Sequence, residues 1–284
     1  MPELAYVNGT IMPIEQAMVP IEDRGYQFGD GVYEFVASYQ GRWFMLDAHL
    51  DRLERSMREL AFDTIPRSEI KVAIRDLSER SGYPRAGIYI QISRGVAPRN
   101  HAITPDIPPQ IIMTIRPVKE IPEEMRNNGA TAITVHDTRW GRCDTKTVQL
   151  LANSLAKQNA LDSDCDDAIF VSDQGIVREG TSSNLFIVTG DQLTTHPLTN
   201  SILPGITRKV VLDLCKTANL DVKESFFKTE ALYGADEVFL TGTVTEVLPL
   251  VCVDQKPIGN GKVGPVSRRI YTLLHKKAMA GELE

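Results

Sequence analysis

Cysteine is scarce and scattered: Cys143, Cys165, Cys215 and Cys252 are the four in 284 residues. No CxxC occurs, which excludes a zinc knuckle or a dithiol redox motif, and unclustered thiols suit a reducing compartment. The five histidines (His49, His101, His136, His196, His275) never stand four apart, so no helix-borne metal site is expected and no metal is assigned. Long apolar runs are missing too; no segment approaches the ~18 apolar residues of a membrane span. The opening MPELAYVNG has an acid at Glu3 and an early turn where a signal peptide carries basic and apolar stretches. There is no excess of one charge sign in any block. The 31 basic and 37 acidic residues leave a net charge of −6 without a basic stripe, which argues against nucleic-acid and anionic-membrane partners. Glycine-rich phosphate loops are absent as well: no GxGxxG follows a strand, and Val263 stands after Gly261-Lys262 where a P-loop needs Ser or Thr. The expectation is a cytoplasmic, mildly acidic protein that is neither a dinucleotide enzyme nor a P-loop kinase.

What is present is a hydrophobic fraction of 42%, enough for two cores at this length. Asn8-Gly9 between Ala5–Val7 and Thr10–Met12 signals a hairpin, and Gln40-Gly41 between Val32–Tyr39 and Arg42–Leu46 signals a second. Asp47 reads as the N-cap of a helix with Leu50, Leu53, Met57 and Leu60 on one face. A second helix follows Pro66 and stops at Gly82; Gly87–Ser93 and Gln110–Arg116 read as buried strands. Further strands are expected at Thr131–His136, Ala168–Ser172, Asn184–Val188, Glu237–Thr243 and Val247–Val253. Helices are expected at Thr147–Leu161, Thr207–Ala218 and Ser267–Met279. The irregular order of strands and helices predicts α+β architecture in two mixed domains, residues 1–116 and 123–284, with the proline-bearing 117–122 as linker.

Two segments could carry chemistry on physical grounds. In SILPGITR (Ser201–Arg208), backbone N–H groups at Gly205, Ile206 and Thr207, with the Thr207 hydroxyl, could cradle a phosphate at a helix N-terminus. The same residues also read as an ordinary capped loop. In RWGRCDTKT (Arg139–Thr147), Lys146 sits at a strand end, where a desolvated amine could attack a carbonyl; it also reads as one solvated lysine among many.

Five motifs taken in order narrow these alternatives. RGYQFGDGVYE (Arg24–Glu34), RGVAPRNH (Arg94–His101), RWGRCDTKT, VREGTSSNLF (Val177–Phe186) and SILPGITR together resemble the fold-type-IV pyridoxal-phosphate enzymes, specifically the D-amino-acid aminotransferases. The likeness runs on to GKVGPVSRR (Gly261–Arg269). It implies two α/β domains with the active site between them, the second binding pyridoxal 5′-phosphate. It implies that Lys146 forms the Schiff base and shuttles the proton of a 1,3-shift, and that Glu179 keeps the pyridine nitrogen protonated. The phosphate falls to Arg52, to the Ile206 and Thr207 backbone and to Thr243, with Leu203 and Val244 as further cofactor-binding residues. Gly242 and Val244 depart from the hydroxyls that relatives often carry in TGTVTE (Thr241–Glu246), which shifts the expected donors towards backbone N–H groups.

The same likeness assigns substrate binding to Tyr33, Arg99 and His101, the last two reaching in from a partner subunit, and so implies a homodimer with shared sites. Arg99 would grip the substrate carboxylate bidentately. The expected activity moves the amino group of a D-amino acid such as D-alanine to 2-oxoglutarate, giving pyruvate and D-glutamate. The alternatives on this fold are a branched-chain L-amino-acid aminotransferase, whose usual pattern lacks the Arg-x-His pair, and aminodeoxychorismate lyase, whose aromatic substrate has no evident need of it.

Overall fold

Asn8 and Gly9 both adopt positive φ, 46° and 94°, the turn conformation whose twist suits a two-residue hairpin. The turn joins β1 (Leu4–Val7) to β2 (Thr10–Pro13) with Val7 opposite Thr10. The computed structural model describes residues 3–280. It divides into two compact units. The first runs through Lys119 and takes in Thr145–Gln149; the second comprises Glu120–Asp144 and Leu150–Ala280.

The first unit continues with α1 (Arg24–Phe28), β3 (Gly31–Tyr39), β4 (Arg42–Trp43), α2 (Leu46–Glu59), α3 (Arg67–Ser81), β5 (Ala86–Ser93) and β6 (Gln110–Pro117). Its six strands form an antiparallel sheet in the order β2-β1-β6-β5-β3-β4. The apolar stripes of α2 (Leu50, Leu53, Met57) and α3 (Ile70, Ile74, Leu77) close over Val32, Val36, Ile88, Ile90 and Met113 in one core. Burying each such side chain contributes about 1.5–3 kcal/mol. Two local expectations are corrected. Asp47 does not cap α2: Met45 holds that position with φ 55°, and Asp47 lies in the first turn, paired with Lys71 and Arg67 of α3, where an acid also suits the helix dipole. Strand β4 stops at Trp43, because the chain is already helical at Leu46.

The second unit holds α4 (Glu123–Asn128), β7 (Ala130–His136), α5 (Leu151–Asp162), β8 (Asp167–Val171), β9 (Val177–Gly180), β10 (Asn184–Thr189) and β11 (Gln192–Thr195). It is completed by α6 (Ile206–Thr217), β12 (Asp221–Glu224), α7 (Thr229–Tyr233), β13 (Glu237–Gly242), β14 (Glu246–Val253), β15 (Lys256–Pro257) and α8 (Pro265–Ala280). The sheet runs β12-β11-β10-β13-β14-β7-β8-β9, and a further pairing of β9 with β10 closes β10, β13, β14, β7, β8 and β9 into a ring. Closure leaves those strands without a free edge. Leu185, Ile187, Val238, Leu240, Leu248 and Leu250 pack together in the core of this unit. No helix among the described residues is long and apolar enough to cross a membrane.

The helix expected from Thr147 begins at Leu151 instead. Residues 146–148 run extended along β3: Tyr33 N–H donates to Lys146 O and Val148 N–H to Gly31 O, both at 3.0 Å, and Thr147 bridges Val32. The reason is an open edge. Strand β4 pairs only with Ser38 and Tyr39, so the first half of β3 can accept another strand, and Thr147 and Val148 are β-branched. Residues 145–149 therefore cluster with the first unit, although the sequence reading places them in the C-terminal domain.

Candidate active site

In the first unit the site is built around β3. Alternation sends Val32, Glu34 and Val36 inward and leaves Tyr33 half-buried on the other face. The added strand at 146–148 brings Lys146 Nζ to 4.2 Å from the centre of the Tyr33 ring, and Tyr33 lies against Tyr89 at 5.5 Å. The Lys146 backbone is tied a second time, its N–H donating to Ser56 Oγ at 3.2 Å. Burial, and then the neighbouring Tyr33, push the Tyr89 phenol above its usual range.

Helix α2 places His49, Arg52 and Ser56 at spacings of one and two turns, all three buried. Arg52, expected on the phosphate, also serves Glu34: Nε donates to Oε1 at 2.6 Å and Nη2 to Oε2 at 2.9 Å. His49 Nδ1 lies 2.7 Å from the same Oε2. Burial alone would raise the Glu34 pKa, but Arg52 and His49 overcome it and hold the carboxyl far below its ordinary range. Burial pulls His49 down; the pull of Glu34 the other way does not restore it, and Arg52 and Lys146 add to the decrease. His49 is thus neutral near pH 7, with Nδ1–H donating to Glu34.

Arg99 and His101 stand on the exposed loop between β5 and β6. The Arg99 guanidinium lies over the Phe28 ring at 4.7 Å and the His101 ring lies 5.5 Å from it.

In the second unit Glu179, at 5% exposure, is the centre of a buried polar network. Its carboxylate accepts from Arg139 Nη1 at 2.6 Å, Asn184 Nδ2 at 2.9 Å and Leu203 N–H at 3.1 Å. Arg139 in turn binds Asp137 through Nε and Nη2, at 3.0 and 2.8 Å, and lies over Phe170 at 4.1 Å. Arg178 shares Asp137 at 2.5 Å. Burial pushes the Glu179 pKa upward and Asp137 adds to this; Arg139 and Leu203 N–H oppose it without cancelling it. Such a carboxylate holds a shared proton firmly.

Helix α6 opens at Gly205, and its first ladder bond runs from Lys209 N–H to Gly205 O. The N–H groups of Ile206 and Thr207 precede that ladder and point out of the helix end. A Cβ at position 205 would stand 2.0 Å from Asn184 Oδ1, so any side chain there displaces the Asn184 amide. Thr243 and Val244 form the turn between β13 and β14, both half-buried. The hydroxyls of Thr241 and Ser183 are buried without a hydrogen-bond partner among the described residues.

Sequence reading singled out Lys146, Tyr33, Arg52, Glu179 and the α6 start. It missed Glu34, His49, Asp137, Arg139 and Asn184, which orient them. Glu34 had a legible signal, an acid at an inward position of a strand between Val32 and Val36; Arg139 and Asn184 lie inside two of the quoted motifs, and His49 stands one helical turn before Arg52.

The sequence matches the family Amino-transferase class IV over residues 31–252. It is 40% identical over 274 residues to a D-alanine aminotransferase of Bacillus licheniformis, covering 96% of each chain. A D-alanine aminotransferase of Staphylococcus haemolyticus is 40% identical over 275 residues, with 95% of this chain and 96% of the relative covered. Among solved structures, a branched-chain amino acid aminotransferase with pyridoxamine 5′-phosphate superposes with a TM-score of 0.91 at 27% identity, over 99% of this chain and 96% of that one. The Escherichia coli branched-chain amino acid aminotransferase gives 0.90 at 26% identity, over 100% and 97%. The chain belongs to the class IV aminotransferases. Its cofactor is pyridoxal 5′-phosphate.

The donors present fit that cofactor. An acceptor-rich phosphate suits the outward N–H groups of α6 and the orphaned hydroxyls of Thr241 and Ser183. A pyridine nitrogen suits the buried carboxylate of Glu179, whose proton affinity burial raises, and an aldehyde suits the primary amine of Lys146.

Proposed function

We propose that the enzyme is a D-amino-acid transaminase, passing the amino group of D-alanine or a similar D-amino acid to 2-oxoglutarate with release of pyruvate and D-glutamate. It works as a cytoplasmic homodimer. The observation that carries the reading is the setting of Lys146: an amine on a strand tied at both faces of its backbone, 4.2 Å from the Tyr33 ring, in a chain about 40% identical to two D-alanine aminotransferases. The likeness to branched-chain enzymes is one of fold at 26–27% identity, which favours the D-amino-acid reading over the L-branched-chain one.

Bound pyridoxal phosphate supplies an electrophilic aldehyde and a ring that accepts electrons from the substrate α-carbon. Lys146 would hold the aldehyde end, and its free amine is the group placed to take and return the α-proton of the substrate. The twofold tether of its backbone fixes where that amine can reach. Glu179 holds a proton at the ring nitrogen, and Arg139 and Asn184 hold Glu179 in place. Ile206, Thr207, Thr243 and Arg52 would hold the phosphate, with Leu203 and Val244 as further cofactor contacts; Glu34 orients Arg52. Tyr33, Arg99 and His101 bind the substrate carboxylate and thereby set handedness, since a trapped carboxylate and a fixed proton acceptor leave one face of the α-carbon accessible.

The test is a comparison of amino donors with purified, cofactor-loaded enzyme and 2-oxoglutarate. D-Alanine should give pyruvate and D-glutamate in equal amounts. Equal or faster reaction with L-leucine would move the enzyme to the branched-chain group, and release of pyruvate from aminodeoxychorismate alone would move it to the lyases.

A further inference from the structure

The loop that carries Arg99 and His101 is exposed, and exposed polar side chains on a loop are ordinarily mobile. Here both lie against one ring. Around Phe28 the structure gathers the Arg99 guanidinium at 4.7 Å, the Arg24 guanidinium at 4.8 Å and the His101 ring at 5.5 Å. Phe28 ends α1, and the chain passes from it through Gly29, with φ 66°, to Asp30.

Arg24 also fixes the loop backbone. It is buried at 4% exposure, and its Nη1 donates to the carbonyls of Asn100 at 2.7 Å and Ala102 at 3.4 Å, one on each side of His101. Asn100 Oδ1 accepts from Ala102 N–H at 3.1 Å, tightening the same turn. Behind it, Asp30 accepts from Arg24 Nε at 2.8 Å and from Arg94 Nε at 2.8 Å. Arg94 is anchored by donating to the carbonyls of Leu60 and Ala61, at 2.7 and 3.0 Å. The chain of contacts thus runs from the segment that ends α2, through Arg94, Asp30 and Arg24, to the loop backbone on either side of His101, with Phe28 beneath the two side chains.

We infer that Phe28, backed by Arg24, is a positioning residue that sets the carboxylate affinity of the enzyme by holding Arg99 and His101 in their binding orientation. The inference rests on the assignment of Arg99 and His101 to the substrate carboxylate. A flat ring lets a guanidinium stack without spending its N–H donors. The contact with the Phe28 ring at 4.7 Å therefore leaves the Arg99 N–H donors to a carboxylate. An aliphatic side chain offers no such surface, so a guanidinium beside it would sample many orientations and bind a carboxylate more weakly.

The experiment uses the cofactor-loaded enzyme and three variants, Phe28→Leu, Phe28→Tyr and Arg99→Ala, with Phe28→Met in place of the first if Phe28→Leu does not fold. Two quantities are read: the KM and kcat for D-alanine, and the affinity for propionate, an unreactive carboxylate, by calorimetry. Phe28→Leu should raise the D-alanine KM and the propionate Kd together by about tenfold while kcat stays within about threefold. Phe28→Tyr, which keeps the ring, should restore both to within about threefold of wild type. The inference is overturned if Phe28→Leu leaves both constants unchanged while Arg99→Ala raises them, or if it lowers kcat and melting temperature with KM unmoved. If Arg99→Ala itself changes neither constant, the carboxylate assignment fails first and takes this inference with it.

Discussion

Glu34 and Arg52 form a two-point ion pair in the interior of the first unit, with Nε–Oε1 at 2.6 Å and Nη2–Oε2 at 2.9 Å. His49 completes the set from the same helix at 2.7 Å. Removing the acid from such a group leaves a cation buried without its counter-charge. Glu34→Gln should cost about 3–5 kcal/mol of stability, measured by denaturant unfolding of the cofactor-free protein at neutral pH. It should also weaken cofactor binding, because Arg52 loses its orientation.

The pH dependence of that pair has a definite sign. The folded-state pKa of Glu34 is depressed, so the unfolded chain takes up a proton on this side chain before the folded one does. The contribution is fully present above the ordinary carboxylate value of 4.5 and declines as pH falls below it towards the folded value. The unfolding free energy of wild type should therefore fall more steeply between about pH 5 and pH 3 than that of Glu34→Gln. Parallel curves over that window would remove Glu34 from the acid response.

Asp137 acts on Glu179 through the shared Arg139 and through its own charge, and it should control it. With Asp137 anionic, part of the Arg139 charge is already answered, and the proton affinity of Glu179 stays raised. Asp137→Asn turns more of that charge on Glu179, which then holds the ring-nitrogen proton less firmly. The expected result is a fall in kcat of roughly three- to tenfold with KM little changed, about 1 kcal/mol in the barrier. The ring 15N resonance in enzyme loaded with 15N-labelled cofactor should shift towards the unprotonated position. Loss of stability with an unmoved resonance would make the role of Asp137 purely structural.

Lys146→Ala should lower steady turnover by roughly 10³-fold or more. Borohydride reduction of cofactor-loaded wild type should fix label on the peptide that contains Lys146. Near-normal turnover in the variant, or label elsewhere, removes Lys146 from the mechanism.

Gly205→Ala places a methyl group 2.0 Å from Asn184 Oδ1. Asn184 must then give up its bonds to Glu179 and to Leu203 O, each 2.9 Å. The substitution should cost about 1–3 kcal/mol of stability and raise the cofactor Kd about tenfold, read by fluorescence titration of the cofactor-free protein. An unchanged Kd would show that the start of α6 tolerates a side chain.

Sequence alone determined the local conformations and much of the chemistry. The Asn8-Gly9 turn, the apolar faces of α2 and α3, the stop at Gly82 and most strands follow from residue types that restrict φ or alternate in polarity, and such signals act over a few residues. The five motifs named the family and the amine at Lys146. Tertiary structure decided which edges and charges meet. Residues 146–148 are extended because β3 has an open edge beside Gly31–Tyr33, not because their own pattern excludes a helix. The ring of strands in the second unit closes through Glu179 and Asn184, a single residue pair that no periodicity announces. Arg52, Arg139 and Arg24 read alike in one dimension. Each becomes a buried, partnered group only where folding sets it beside Glu34, Glu179 or Asp30, because an ion pair is specified by position in space and not by spacing along the chain.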